Sequence, residues 1–199
     1  YGGNVLLFSE LLASNDEIRW EGTFNEPDEI WQKSIIKTNS FVRATWLDAY
    51  NTINLTNNII DAINVVATAD QNRVKGEALY LRACMFFELV KLYAKPYSAG
   101  SVTSNLGVPL VLTPTKAIDA SSYVPRSTVE QTFAQIIADF IQAESLLPSV
   151  NPGSTTTTRM VYATKAAAAA MLSRVYLQME RYPDARDAAN RAITEATNN

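Results

Sequence analysis

Histidine is absent from this chain and cysteine occurs once. Without histidine there is no Ser-His-Asp or Cys-His nucleophilic machinery and no histidine metal site. A single cysteine excludes an internal disulfide. Cys84 sits within ALYLRACMFFEL at helical spacing and reads as a buried small hydrophobe rather than a reactive thiol. No apolar run approaches the roughly 20 residues needed to span a bilayer. No basic stripe exists either: 17 Lys and Arg are scattered among 20 acids, for a net charge of −3. Nucleic-acid binding, which needs clustered cations, is disfavoured. No glycine-rich phosphate loop and no metal-ligand cluster is present, so no cofactor is expected. The start at Tyr1, without Met, basic region or signal-peptide core, reads as a fragment of something longer, already stripped of its leader.

What is present is a helical chain. Its 199 residues, 47% of them hydrophobic, suffice for a sizeable core. Asn4 to Ser14 is a short apolar stretch that predicts one helix. Asn15 to Asn39 is polar and aromatic, a long loop with one short helical turn. From Phe41 to about Val66 apolar residues recur every three or four positions through Trp46, Tyr50, Ile53 and Ile60, which predicts an amphipathic helix with a core-facing Trp46 and Tyr50. Asp70 is a plausible N-cap for a second helix to about Ala94, with Val74, Ala78, Leu81, Met85, Phe86, Leu89 and Leu92 on its apolar face.

Lys95 to Arg126 holds four of the eight prolines and is too proline-rich for helix. Ser127 or Thr128 then caps a third helix, with Glu130 completing the capping box, and its apolar face from Val129 to Leu147 ends at Pro148. A link from Asn151 to Arg159, with four consecutive threonines, leads to a final pair. That pair, Lys165 to Ala196, breaks at Arg181-Tyr182-Pro183, where proline fits a helix's first turn. Small residues at Ala166, Ala169, Ala170, Ser173, Ala185, Ala188, Ala189 and Ala192 let two backbones approach. Leu172, Val175, Tyr176 and Ile193 fill the space between them. The spacing resembles a tetratricopeptide repeat. The sum is six or so helices, no convincing strand, and an all-α, tetratricopeptide-like helical-repeat fold with long irregular loops.

The motif order resembles a larger pattern. Trp46-x3-Tyr50-x2-Ile53-x3-Asn57, then Gly76-Glu77-Ala78-x2-Leu81-Arg82-Ala83-x2-Phe86-Phe87-x-Leu89-x3-Tyr93, is similar to the first helical pair of the SusD/RagB family. Gly107-Val108-Pro109-Leu110 resembles the turn and short extended segment that follow. Arg126-Ser127-Thr128, then Ile136, Asp139, Ala143 and Leu146-Leu147-Pro148, continue the likeness, and Lys165-Ala166-Ala167 through Leu177 completes it. The one departure is the length between Tyr93 and Gly107, which leaves the conformation of Lys95–Leu106 open. The resemblance implies a non-catalytic, cell-surface glycan- or nutrient-binding lipoprotein of the outer membrane, facing outward. Such a protein delivers its ligand to a SusC-like, TonB-dependent transporter. It further implies that residues 1–199 form a single N-terminal helical domain of a longer protein, with helical pairs at about 41–94 and 127–197. The lipid-bearing cysteine would precede Tyr1; Cys84, mid-helix, cannot be that residue.

Sugar recognition uses flat aromatic faces together with amide, carboxylate and guanidinium groups. The segment from Asp16 to Trp31 has that vocabulary in a loop. Trp20 and Trp31 are candidates to stack on a sugar, with Arg19, Glu21 and Asn25 supplying hydrogen bonds; alternatively both tryptophans anchor the loop to the core. Asp16 is a cap in a further reading. Arg82 and Glu77 look like partners for buried polar groups, and Tyr97 and Tyr123 are second candidates for ligand or transporter contact. The acid pairs Asp16/Glu17 and Asp28/Glu29 are adjacent in sequence, whereas a glycosidase needs two carboxyls facing each other roughly 5–10 Å apart. A glycosidase therefore ranks behind both the receptor and a tetratricopeptide protein-interaction module.

Overall fold

A computed structural model describes residues 3–13, 17–150 and 162–197. Asp16 and the Asn151–Arg159 link lie outside the described residues. The chain divides into two compact units, Tyr1–Asn51 and Thr52–Asn199, with the boundary inside one helix.

The first unit holds α1 (Gly3–Ala13), α2 (Asn25–Trp31) and the opening of α3 (Ser40–Asp61). Phe8 and Leu11 of α1, with Pro27 and Ile30 of α2, are buried, and α1 packs on α2. Trp46 and Tyr50 pair as tilted rings 4.9 Å apart. Both are half-buried, which corrects the expectation of a fully core-facing pair.

In the second unit α3 ends at Asp61, earlier than its periodicity predicts, and a 3-10 turn follows at Ile63–Val65. Helix α4 (Thr68–Tyr93) begins two residues before Asp70. Asp70 is therefore no N-cap: it lies in the first turn, favourable to the helix dipole, with its carboxylate 2.9 Å from Arg73. Glu77 also pairs with Arg73, at 3.3 Å, rather than with a buried group. Leu81, expected on the apolar face, is exposed.

Helix α5 (Val129–Leu146) runs antiparallel to α4, as residue pairs show. Tyr80 meets Phe140 edge-on at 5.7 Å and Phe87 meets Phe133 at 6.3 Å. Its cap is Thr128, whose hydroxyl accepts the Gln131 N–H while Gln131 Oε1 accepts the Thr128 N–H. Gln131, not Glu130, thus completes the capping box, because the third helical position is the one that reaches back.

Helices α6 (Lys165–Gln178) and α7 (Tyr182–Thr197) form the final antiparallel pair. Leu79, Ala143, Leu147 and Ala168 make a cluster that joins α4, α5 and α6. Close approach in the last pair lets Ser173 Oγ donate to the Ala185 carbonyl at 2.8 Å. Ala169, Ala188, Leu172 and Val175 are buried as the small-and-large pattern requires, but Ile193, at 60%, and Ala170 face outward.

The proline-rich excursion carries a short strand, β1 (Leu106–Pro109), paired antiparallel with β2 (Arg126–Thr128). This corrects the expectation of no strand; proline at the strand end costs no ladder bond. The backbone before β1 closes over the start of α5: carbonyls of Asn105 and Val102 accept the Val129 and Glu130 N–H groups at 2.9 and 3.1 Å. These are donors that a helix N-terminus otherwise leaves unmet. Arg126 fastens the base, donating to the carbonyls of Gly107, Tyr93 and Leu106 at 2.7, 2.9 and 3.1 Å. Gly107 is required there, since a Cβ would stand 2.6 Å from the Thr128 carbonyl oxygen.

Between α4 and α5 lies a buried polar network. Arg82 donates Nε and Nη2 to the two carboxylate oxygens of Asp139 at 2.8 and 2.7 Å. Its Nη1 donates to Asn57 Oδ1 at 2.8 Å. Asn57 Nδ2 donates in turn to the carbonyls of Val111 and Thr113, at 2.9 and 3.2 Å. Arg82, Asp139 and Asn57 are 7%, 2% and 1% exposed. Removing one partner of such a pair strands a buried charge. Arg82→Met is expected to lower the unfolding free energy by about 3–5 kcal/mol in urea denaturation, with much of the loss recovered in Arg82→Met/Asp139→Leu. Gly107→Ala should cost about 1–3 kcal/mol, whereas Gly3→Ala, which meets nothing within 4 Å, should cost far less.

Candidate functional site

The loop from Glu17 to Phe24, with α2, gathers the aromatic and polar groups of the first unit. Proline at the third position of α2 is compatible with a helix start, and Glu26 and Asp28 suit its positive end. Asn39, just before α3, holds the arrangement in place. Its Oδ1 accepts the Val42 N–H at 3.1 Å, and its Nδ2 donates to the Glu26 carbonyl and to Glu29 Oε2 at 3.0 and 2.8 Å. Ser40 Oγ donates to Glu26 at 2.7 Å, and this bond holds the Glu26 carboxyl below the usual carboxylate range.

On this base the predicted residues fall into two groups. Arg19, Glu21 and Trp31 come together: the Arg19 guanidinium lies 5.8 Å from the Trp31 ring centroid, and its Nε is 3.8 Å from Glu21 Oε1. Arg19 and Glu21 are exposed, and Trp31 is half-buried. Trp20 is committed to its own loop. Its indole N–H donates to the Phe24 carbonyl at 3.0 Å. Its ring lies against Gly22 so closely that a Cβ there would overlap it. Asn25 is exposed as the first residue of α2, and the helix has no side-chain cap at Phe24. Phe24, Ile18, Ile35 and Ile36 of the same unit are exposed as well.

The arrangement offers a cation against an aromatic face, a carboxylate beside that cation, and an open amide. It is suited to hydrogen-bonding a neutral, hydroxyl-rich ligand. Of the second candidates, Tyr97 packs edge-on against Phe133 at 5.0 Å and serves the core, whereas Tyr123 is 80% exposed.

Sequence reasoning missed Asn39, which fixes α2 to the start of α3. The available signal was an Asn placed just before an apolar-periodic run, the ordinary N-cap signature. Among the described residues no group of three or more His, Cys, Asp or Glu is placed to hold a metal, and no helix is long and apolar enough to cross a membrane.

A SusD-like family model, described as starch-binding and associating with the outer membrane, matches residues 4–177. A SusD superfamily protein from Bacteroides thetaiotaomicron superposes with a TM-score of 0.76 at 28% identity, covering 96% of this chain and 40% of that one. A SusD superfamily protein from Bacteroides fragilis gives 0.79 at 27%, covering 94% and 42%. A laminarin-binding SusD-like protein gives 0.67 at 21%, covering 82% and 32%, and shares the fold. The chain thus spans well under half the length of these structures. No curated protein matches it.

Because the Trp20 indole rests on Gly22, Gly22→Val is expected to expel the ring into solvent. The check is tryptophan fluorescence: emission should shift to longer wavelength, while global stability changes by about 0.5 kcal/mol or less.

Proposed function

The chain belongs to the SusD-like family, and on that premise we propose that it is the helical N-terminal part of a longer, non-catalytic glycan receptor. The receptor, held outward on the outer membrane by a lipid anchor preceding residue 1, captures an oligosaccharide and delivers it to a SusC-like, TonB-dependent transporter barrel. The observation that carries this reading is the family match across residues 4–177. Capture and delivery need no covalent chemistry.

In this reading Trp31 supplies the ring on which a pyranose stacks, while Arg19, Glu21 and Asn25 bond its hydroxyls. Trp20 acts by shaping the loop through its bond to Phe24. Laminarin belongs first in any ligand panel, because a structural neighbour binds it.

Isothermal titration of the full-length protein with a glycan panel that starts from laminarin oligosaccharides tests the proposal. At least one glycan should bind, and Trp31→Ala should weaken it by about tenfold or more, as loss of an aromatic anchor does. The full-length protein should also co-purify with a barrel transporter. Failure of both binding and co-purification across a broad panel would contradict the receptor reading.

A further inference from the structure

A cavity of ≈ 280 Å³ lies in the second unit, walled by the segment Leu110–Ala117 and by Asp119, Ser122 and Val124. It shares no residue with the Arg19–Trp31 loop. We propose that this cavity is a separate saccharide site that takes one neutral sugar ring.

The first support is that its wall is held in shape without a ligand. Asn57 grips the carbonyls of Val111 and Thr113 from the buried network. The Thr115 N–H donates to Asn54 Oδ1 at 2.8 Å, and Lys116 Nζ reaches Asp61 at 2.8 Å. The far side closes through Ser122, whose hydroxyl donates to the Ala117 carbonyl at 3.0 Å and accepts the Asp119 N–H at 3.2 Å. A wall fixed in this way has little conformational entropy left to lose on binding.

The second support is the chemistry of the lining. Leu110, Pro114 and Val124 offer an apolar side for the C–H face of a sugar, and Thr113 and Thr115 add hydroxyls. Lys116, its charge met by Asp61, and Asp119 add a donor and an acceptor to the same lining. A neutral ligand carrying many donors and acceptors matches both. The volume falls just below the roughly 300–1,000 Å³ of drug-sized sites and has room for one sugar ring.

This proposal rests on the glycan-binding reading for its ligand class, and its test separates the two. The full-length, isotope-labelled protein is titrated with glucose, galactose and xylose, with phosphate and acetate as comparison ligands. At least one sugar should shift the amide resonances of Leu110–Val124, with a dissociation constant on the order of 1 mM. Asp119→Asn leaves the backbone bonds in place and should weaken that response by about tenfold. Trp31→Ala should leave it unchanged. A response at Leu110–Val124 with neither oligosaccharide binding nor transporter co-purification would uphold this site and remove the receptor reading. Oligosaccharide binding with no response at Leu110–Val124 up to roughly 50 mM sugar would overturn this site alone. Phosphate or acetate moving the same resonances in place of the sugars would overturn the ligand class.

Discussion

The guanidinium of Arg82 is the constraint on which the second unit depends. It leaves water to sit between α4 and α5, and such a transfer is tolerable only when every hydrogen bond is replaced in good geometry. Asp139 meets it with both carboxylate oxygens, and Asn57 takes a further N–H. Asn57 then reaches the excursion and grips two of its carbonyls. Three helices and a proline-rich segment are fastened at one buried point.

This explains how a segment with no α-helix, one 3-10 turn at Ala120–Ser122 and little sheet keeps a defined course. At its base Arg126 ties β1 to the end of α4, and its backbone carbonyls fill the unmet donors of α5. Its middle is held by Asn57, and its later part by Asn54 and Asp61. The helices act as a platform, and side chains with amide and guanidinium groups transfer that rigidity to the connecting chain. The first unit uses the same device on a smaller scale, where the Asn39 amide secures α2 to the start of α3.

Much of the helical architecture was legible in the sequence, because a 3.6-residue period reports burial directly. The final pair, the break before Pro183 and the cap at Thr128 followed from local rules. What was not legible depended on partners distant in the chain. Asp70 looked like a cap, but α4 begins earlier. Glu77 looked like a buried partner, but Arg73 stands one turn away on the same helix. Arg82 was singled out as polar within an apolar helix, yet its partners lie 57 and 25 residues away and no periodicity links them. In the loop of the first unit, composition marked Trp20 and Trp31 as equivalent. Their different fates were decided by the close contact of one indole with Gly22, which composition does not encode.

The central claim is that side-chain hydrogen bonds from the helices hold the proline-rich segment in one conformation in the absence of any ligand. Native-state hydrogen exchange at the Thr115 amide tests it most directly, since that N–H donates to Asn54 and to no regular secondary structure. The account predicts protection of at least a hundredfold over an unstructured chain, corresponding to an opening free energy of about 3 kcal/mol or more. Exchange at the rate of an unstructured peptide would contradict it.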